Sequence, residues 1–207
     1  MGWGKALKQD RSCIALIAVK RRVQCKSRLA RAMNVEQRLA LVRQMLQQVI
    51  DACGRARSIS AVVVLSPERD CVAESVAVLA DRGTDLNSGL HHARAALHEL
   101  GAREWLILPA DLPTVTADEI DALVAVGRAG EGAIAGDERG QGTNGLFLPL
   151  AVPLRFQFGA NSLAAHRAEA ARLGLRLATT QLPGFAFDVD TVDDLFRLDA
   201  RQWRQRA

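Results

Sequence analysis

The sequence predicts an α/β protein built on a mixed, mainly parallel sheet with helices on both faces. Short apolar runs typical of buried strands alternate with segments whose apolar residues recur at helical spacing. The 207 residues suit one large domain, and no repeat or low-complexity segment interrupts this order. We therefore expect a single domain over residues 13–199, preceded by a flexible segment (1–12) and followed by a short tail (200–207).

The first half of the chain begins with two buried strands and a long helix. Ile14 to Val19 is a continuous apolar run, as expected of a strand covered on both faces, and residues 60–65 form a second such run. Between them, Asn34 can cap a helix whose apolar residues follow at helical spacing. A shorter helix is then predicted on three apolar residues: Val72, Val76 and Leu79.

The middle of the chain continues the alternation. A helix is expected over residues 88–100, where Gly101 can end it. A third central strand follows over residues 105–108. Thr116 and Glu119 then form a capping box that opens the next helix.

The second half is less regular. Residues 133–135 and 145–148 are predicted to pair around a polar loop. A helix is expected over residues 162–173, before a strand-like run at 175–179. A last helix begins with Thr191 as its cap.

Composition excludes several classes of function. Hydrophobic residues make up 49% and charged residues 24%, as in ordinary globular proteins, while aromatics reach only 4%, which argues against base stacking with nucleic acid. No apolar run approaches the roughly 18 residues that span a bilayer, and the N-terminus lacks the apolar core of a signal peptide. We expect a cytoplasmic protein without nucleic-acid or membrane partners.

Positive charge concentrates early in the chain. No acidic residue occurs between Arg11 and Val35. The cationic residues of this segment are Arg11, Lys20, Arg21, Arg22, Lys26, Arg28 and Arg31. They form either a solvated basic surface or a site that attracts a polyanionic ligand.

Three aspartates lie just after predicted strands. Asp111 follows the strand at 105–108, and Asp188 and Asp190 are two residues apart, so both would face one side of an extended chain. Ligands of parallel sheets bind at the carboxyl ends of the strands. Clustered carboxylates need a cation, and oxygen ligands favour magnesium. The alternatives are helix capping for Asp188 and Asp190 and a simple turn residue for Asp111.

Two glycine-containing segments can approach a small ligand closely. Residues 140–145 match G-x-G-x-x-G, but a dinucleotide fingerprint needs a helix after it and here a strand is predicted. These glycines instead let Thr143 approach a ligand. Gly159 leads into a helix whose N-terminus can bind an anion near Ser162, unless the residues there simply cap it. His166, one turn later, either reaches the same ligand or is an ordinary surface histidine.

In order and spacing, these segments resemble the guanylyltransferase family of deazaflavin coenzyme (F-420) biosynthesis, usually called CofC or FbiD. The resemblance spans roughly residues 13–199. Its motifs are Ala18-Val19-Lys20, Lys26-Ser27-Arg28-Leu29, Asp85-Leu86-Asn87, Pro109-Ala110-Asp111-Leu112-Pro113, Gly142-Thr143-Asn144, Phe158-Gly159 with Ser162 and His166, and Asp188-Val189-Asp190-Thr191. Related nucleotidyltransferases have a glycine-rich loop after the first strand, whereas this chain has lysines and arginines there.

The resemblance implies a GT-A-like nucleotidyltransferase fold and assigns roles to individual residues. The implied magnesium ligands are Asp111, Asp188 and Asp190, and the implied contacts to the carboxylate of the acid substrate are Thr143, Gly159 and Ser162. The implied nucleotide contacts are Lys20, Lys26 and Arg28 along the GTP phosphates and Asn87 near the nucleoside, with Lys26 also counted among the catalytic residues.

The implied reaction transfers GMP from GTP to phosphoenolpyruvate, 3-phospho-D-glycerate or 2-phospho-L-lactate and releases pyrophosphate. The phosphate of the acid is already an anionic nucleophile, so the reaction needs positioning and charge neutralisation rather than a general base. The Ala- and Arg-rich composition is typical of a bacterial protein, which favours phosphoenolpyruvate and then 3-phosphoglycerate. Two other hypotheses stay open: a nucleotidyltransferase of the molybdopterin or sugar-phosphate type, and a non-catalytic nucleotide-binding module.

Overall fold

The computed structural model describes residues 13–19, 26–68 and 72–198. A seven-stranded sheet lies at its centre, with the order β3-β2-β1-β4-β6-β5-β7. Its strands are β1 (Cys13–Ala18), β2 (Ala61–Ser66), β3 (Ala77–Ala80), β4 (Glu104–Pro109), β5 (Ala133–Gly136), β6 (Thr143–Pro149) and β7 (Ala178–Thr180).

The pairing of the strands confirms the mixed, mainly parallel sheet. β1 pairs in parallel with β2 and β4, and β2 pairs in parallel with β3. β6 runs antiparallel to both of its neighbours, β4 and β5, while β7 is parallel to β5. The reversal at β6 places the start of that strand at the edge where β1, β2 and β4 end.

Helices connect the strands. They are α1 (Val35–Arg55), α2 (Leu86–Glu99), α3 (Ala117–Ala129), α4 (Ser162–Arg172), the short α5 (Pro183–Ala186) and α6 over residues 192–198, with a 3-10 turn at Ser27–Leu29. Reciprocal capping boxes open α1 at Asn34 and α3 at Thr116, as predicted. A capping box at Asp85 starts α2 two residues earlier than expected.

Both faces of the sheet are covered, which explains the continuous apolar run of β1. Ala15 and Ile17 pack into one core with residues of α1 and α3. Ile14 and Leu16, on the opposite face, pack into a second core with residues of α2 and α4. Alternate side chains of β1 therefore enter different cores, and all must be apolar.

The predicted helix on Val72, Val76 and Leu79 is wrong. Residues Ala77–Ala80 form β3, an edge strand that pairs in parallel with β2. Val78 packs against one core and Leu79 against the other, so the strand has apolar residues on both faces. It therefore lacks the alternation of apolar and polar residues that would have predicted a strand. The expected strand at 175–179 is also shorter and later, at Ala178–Thr180.

Other expectations at element ends hold. Gly101 has a φ of 85°, a conformation that suits glycine after a helix. Residues 140–145 lead into strand β6 and not into a helix, so rejection of the dinucleotide fingerprint is confirmed.

No helix in the described ranges is long and apolar enough to cross a membrane. The predicted terminal segments, 1–12 and 200–207, lie outside the described residues.

Candidate active site

A cleft of about 1110 Å³ opens at the carboxyl ends of β1, β2 and β4. The chain leaves β4 at Pro109 and reaches Asp111 two residues later, at the floor of this cleft. Because β6 is antiparallel, Thr143 and Asn144 at its start lie at the same edge. The cleft therefore collects side chains from strand ends that are far apart in sequence.

Asp111, Asp188 and Asp190 all line this cleft, and we call them the carboxylate cluster. A backbone hydrogen bond from the Val189 N–H to the Asp111 carbonyl (3.3 Å) joins their two segments. The side chain of Asp111 is 25% exposed and that of Asp190 is 47% exposed. The structure thus brings together the three aspartates that the sequence analysis grouped. The first turn of α6 is closed by reciprocal bonds between Thr191 and Asp194.

The Lys26 ammonium lies between two members of the carboxylate cluster. It donates to Asp111 Oδ2 and, at 2.8 Å, to Asp190 Oδ1. Arg28 is more distant, with its Nη1 3.8 Å from Asp190 Oδ2. Burial alone would lower the pKa of Lys26, but the two carboxylates outweigh it and the pKa is raised. Lys26 is therefore a fixed positive charge inside the cluster.

Within the carboxylate cluster, Asp188 has a raised pKa. Burial, followed by the charges of Asp111 and Asp190, raises its pKa to about 6. The Asn144 amide lies 3.4 Å from Asp188 Oδ1 and only partly offsets this rise. Lys26 bonds to Asp111 and Asp190, and the pKa of Asp188 stays raised in its presence.

The described residues contain no group of three or more His, Cys, Asp or Glu side chains already arranged to hold a metal ion. In the carboxylate cluster, Lys26 takes the space between Asp111 and Asp190. The donor chemistry nevertheless fits a hard divalent cation, because three carboxylates line one cleft and the charges of Asp111 and Asp190 act on Asp188. Binding such a cation would require Lys26 to move away from these two carboxylates.

Thr143, Gly159 and Ser162 also line the cleft, and we call them the hydroxyl pocket. The Thr143 N–H donates to Ser162 Oγ at 2.9 Å, and both residues are buried. Helix α4 begins at Ser162, and Asn161 before it has a φ of 54° and no side-chain capping bond. Asn161 is therefore the N-cap of α4 by position, but its side chain does not cap the helix.

Gly159 presents an open side to the cleft. Its φ is 138°, and an added Cβ would meet no atom within 4 Å. Asn87 holds the neighbouring residue in place, because its Oδ1 accepts from the Phe158 N–H (2.8 Å) and its Nδ2 donates to the Phe158 carbonyl (3.1 Å). The nucleoside contact proposed for Asn87 stays a prediction, since both ends of its amide already bind this loop. Lys20 lies outside the described residues.

His166 is not a surface residue. Its exposed fraction is 0%, and it hydrogen bonds through both ring nitrogens to Thr143 and to the backbone of Gln157. It occupies the inward face of α4 one turn after Ser162, which explains why a position that looked polar is buried. Of the two alternatives left open for His166, the surface histidine is therefore wrong, and the residue instead lies beneath the hydroxyl pocket.

Comparison with known proteins identifies the family. The family described as "Guanylyl transferase CofC like" matches residues 13–199. The chain belongs to this CofC-like family.

Named relatives of this CofC-like chain are guanylyltransferases. A phosphoenolpyruvate guanylyltransferase of Sphaerobacter thermophilus is 39% identical over 189 residues, which cover 89% of this chain and 91% of the relative. A 3-phospho-D-glycerate guanylyltransferase of Phenylobacterium zucineum is 34% identical over 188 residues, covering 87% and 86%. The prediction of a nucleotidyltransferase enzyme is confirmed, and the hypothesis of a non-catalytic binding module is not supported.

Solved structures confirm the fold. A putative nucleotide-diphospho-sugar transferase of Desulfovibrio desulfuricans superimposes on the CofC-like chain with a TM-score of 0.76 at 17% identity, covering 91% of this chain and 86% of that one. A 4-diphosphocytidyl-2C-methyl-D-erythritol synthase gives a TM-score of 0.66, also at 17% identity, covering 93% and 98%. The sheet and its helices are those of nucleotidyltransferases.

The structure adds cleft residues that the sequence analysis of the CofC-like chain missed. Asp81 and Thr84 line the cleft just after β3, and they were missed because a helix was predicted in place of this strand. Asp85 also lines the cleft; it was quoted in a motif but given no role. Asn144 connects the start of β6 to α5 and to Asp188, since its amide donates to the Phe185 carbonyl at 2.9 Å and lies 3.4 Å from Asp188 Oδ1. Its position next to Thr143 was the available signal.

Proposed function

We propose that this chain transfers GMP from GTP to a phosphorylated three-carbon acid and releases pyrophosphate, as a step in coenzyme F-420 biosynthesis. One observation carries the proposal: the carboxylate cluster with Lys26 and the hydroxyl pocket line the same cleft. The carboxylate cluster with Lys26 suits a nucleoside triphosphate and its cation, and the hydroxyl pocket suits a small anion. A transfer between two anionic substrates needs both in one place.

Magnesium is part of the proposal. Asp111, Asp188 and Asp190 would hold the ion, and Lys26 would turn from the carboxylates to the phosphates of GTP. When bound, magnesium supplies neutralisation of the charge on the phosphates as pyrophosphate leaves. The raised pKa of Asp188 supports this assignment, because a cation next to that side chain would favour its ionised form.

The residues of the chain bind and orient the two substrates. Lys26 and Arg28, with Lys20, would lie along the triphosphate, while Thr143, Ser162 and the open backbone at Gly159 would bind the carboxylate of the acid. A phosphate oxygen of the acid then forms a bond to the α-phosphorus of GTP. The bond between the α-phosphorus and its bridging oxygen breaks, and pyrophosphate leaves with the electron pair. No side chain needs to remove a proton.

The relatives guide the choice of acid. The phosphoenolpyruvate guanylyltransferase noted above is 39% identical, and the 3-phospho-D-glycerate enzyme is 34% identical. We therefore expect phosphoenolpyruvate to be the preferred acid, followed by 3-phosphoglycerate and 2-phospho-L-lactate. The reaction would take place in the cytoplasm, where GTP is made.

Mass spectrometry of the products tests the proposal. The chain is incubated with GTP and magnesium and with each of the three acids in turn, and CTP replaces GTP in a parallel set. We expect a diphosphate-linked guanosine conjugate and stoichiometric pyrophosphate with at least one acid. A conjugate that forms only with CTP, or none with any of the three acids, would contradict the proposal.

A further inference from the structure

The two hydrogen bonds of His166 fix which ring nitrogen carries the proton. Nε2 lies 2.9 Å from the backbone nitrogen of Gln157, and a backbone N–H can only donate, so Nε2 accepts. In a neutral ring the proton is then on Nδ1. Burial lowers the pKa of His166 to about 4, so the ring is neutral near pH 7.

This tautomer fixes the direction of the Thr143 hydroxyl. Nδ1 of His166 lies 3.0 Å from Thr143 Oγ1, and because Nδ1 carries the proton, Oγ1 accepts it. The hydroxyl proton of Thr143 must therefore point away from His166. Among the described residues no hydrogen bond takes this proton, and Thr143 lines the cleft.

Ser162 is constrained in the same way. Its Oγ accepts from the Thr143 N–H at 2.9 Å, so its hydroxyl proton is also directed elsewhere, and Ser162 lines the cleft beside Thr143. A chain of bonds thus runs from Gln157 through His166 to Thr143, with each oxygen accepting from within the protein. Both hydroxyls are left with a proton to donate, as a carboxylate ligand requires.

We propose that His166 is a positioning residue that holds the Thr143 hydroxyl as a donor toward the carboxylate of the acid substrate. This inference rests on the proposed function, because it assumes that the hydroxyl pocket binds the acid. His166 does not touch the acid itself. The edge of its ring packs against Phe158, with centroids 4.6 Å apart, so the same residue also supports the loop that carries Gly159.

Two substitutions separate the two bonds of the ring. His166→Asn keeps a donor near the position of Nδ1 and loses the acceptor for Gln157, whereas His166→Gln keeps the acceptor near Nε2 and loses the donor to Thr143. For His166→Gln we expect the KM for phosphoenolpyruvate to rise about tenfold, the equivalent of roughly one hydrogen bond, with kcat and the KM for GTP nearly unchanged. For His166→Asn, which keeps the donor to Thr143 but loses the support of the Gly159 loop, we expect a clearly smaller rise in the KM for the acid than for His166→Gln.

A double-substitution cycle tests whether His166 acts through Thr143. Thr143→Val removes the hydroxyl and keeps the backbone N–H that binds Ser162. In this background we expect His166→Gln to raise the KM no further, because the hydroxyl that it would misdirect is gone. An equal rise with and without the Thr143 hydroxyl, or equal effects of His166→Asn and His166→Gln, would overturn the inference. Thermal unfolding of each variant reports any loss of folding.

The tautomer can be measured without any substrate. In the 15N spectrum of the histidine side chains of the unaltered chain, we expect His166 to show a protonated Nδ1 and an unprotonated Nε2. A protonated Nε2 would overturn the inference even if the enzyme transfers GMP as proposed. Conversely, if no acid is a substrate, the proposed function fails, and the spectrum alone decides how His166 holds the Thr143 hydroxyl.

Discussion

Replacing Gly159 with alanine separates backbone strain from loss of space in the cleft. Gly159 has a φ of 138°, and its absent side chain would project into open space at the hydroxyl pocket. Gly174, after α4, provides a matched control: its φ is 74°, an added Cβ would also meet no atom within 4 Å, and it does not line the cleft. Both glycines are exposed.

The structure sets the expected magnitudes. An L residue held at such a φ costs about 1–3 kcal/mol, so both Gly159→Ala and Gly174→Ala should lower the free energy of unfolding by amounts in this range. Only Gly159→Ala also places a methyl group where we propose that the acid approaches the backbone. We therefore expect that variant alone to raise the KM for phosphoenolpyruvate, by about tenfold or more, because overpacking costs about 1–3 kcal/mol.

Denaturant unfolding and initial rates measure the two effects on the same preparations. The KM for GTP should stay nearly constant in both variants, since we propose that the carboxylate cluster and Lys26, and not Gly159, bind the nucleotide. Equal KM values for the acid in Gly159→Ala and Gly174→Ala would refute the role of Gly159. A loss of GTP affinity in Gly159→Ala would mean that the nucleotide and acid sites are assigned the wrong way round.

Three further predictions concern the charged and buried groups of the site. Asp111→Asn or Asp190→Asn should lower turnover by orders of magnitude across a magnesium titration, while folding survives. The exposed control Asp193→Asn should not lower it. Near-normal turnover in both site variants would exclude Asp111 and Asp190 as metal ligands. Lys26→Ala should raise the KM for GTP and leave the KM for the acid nearly unchanged, as initial rates against each substrate would show; the opposite pattern would contradict its assignment. Burial lowers the pKa of His166 to about 4, below the ordinary value of 6.5, so the unfolded chain binds this proton first as the pH falls. The free energy of unfolding should therefore decline from pH 6.5 to pH 4, by at most about 3 kcal/mol from this residue, and His166→Asn should lose that part of the decline in denaturant titrations at each pH.

The sequence predicts a helix start correctly where the capping side chains lie within a few residues of each other. The capping boxes at Asn34 and Thr116 depend on side chains three residues apart, and both helices begin where these residues occur. β3 could not be predicted in this way. Val78 and Leu79 enter two different cores, and only the presence of helices on both faces makes that pattern a strand rather than a helix.

In the site, too, the positions of residues at strand ends could be predicted, but their contact partners could not. Asp111 could be placed in the cleft because it follows a buried strand, and sheet topology brings such positions to one edge. The partners of these residues depend on contacts between distant segments. Lys26 and Asp111 are 85 residues apart in the sequence, and His166 and Thr143 are 23 residues apart. No spacing in the sequence encodes either contact.

The contact between Lys26 and the carboxylate cluster follows from charge balance. Asp111, Asp188 and Asp190 lie close enough that the first and third raise the pKa of the second, and like charges at this separation require a cation. In the structure Lys26 provides it, at the cost of a left-handed backbone with a φ of 52°. A divalent ion would provide more charge than one ammonium, and would release Lys26 to the phosphates that arrive with GTP. The same lysine can thus balance the cluster before substrates bind and bind the nucleotide afterwards, which reconciles its observed partners with the role that we propose.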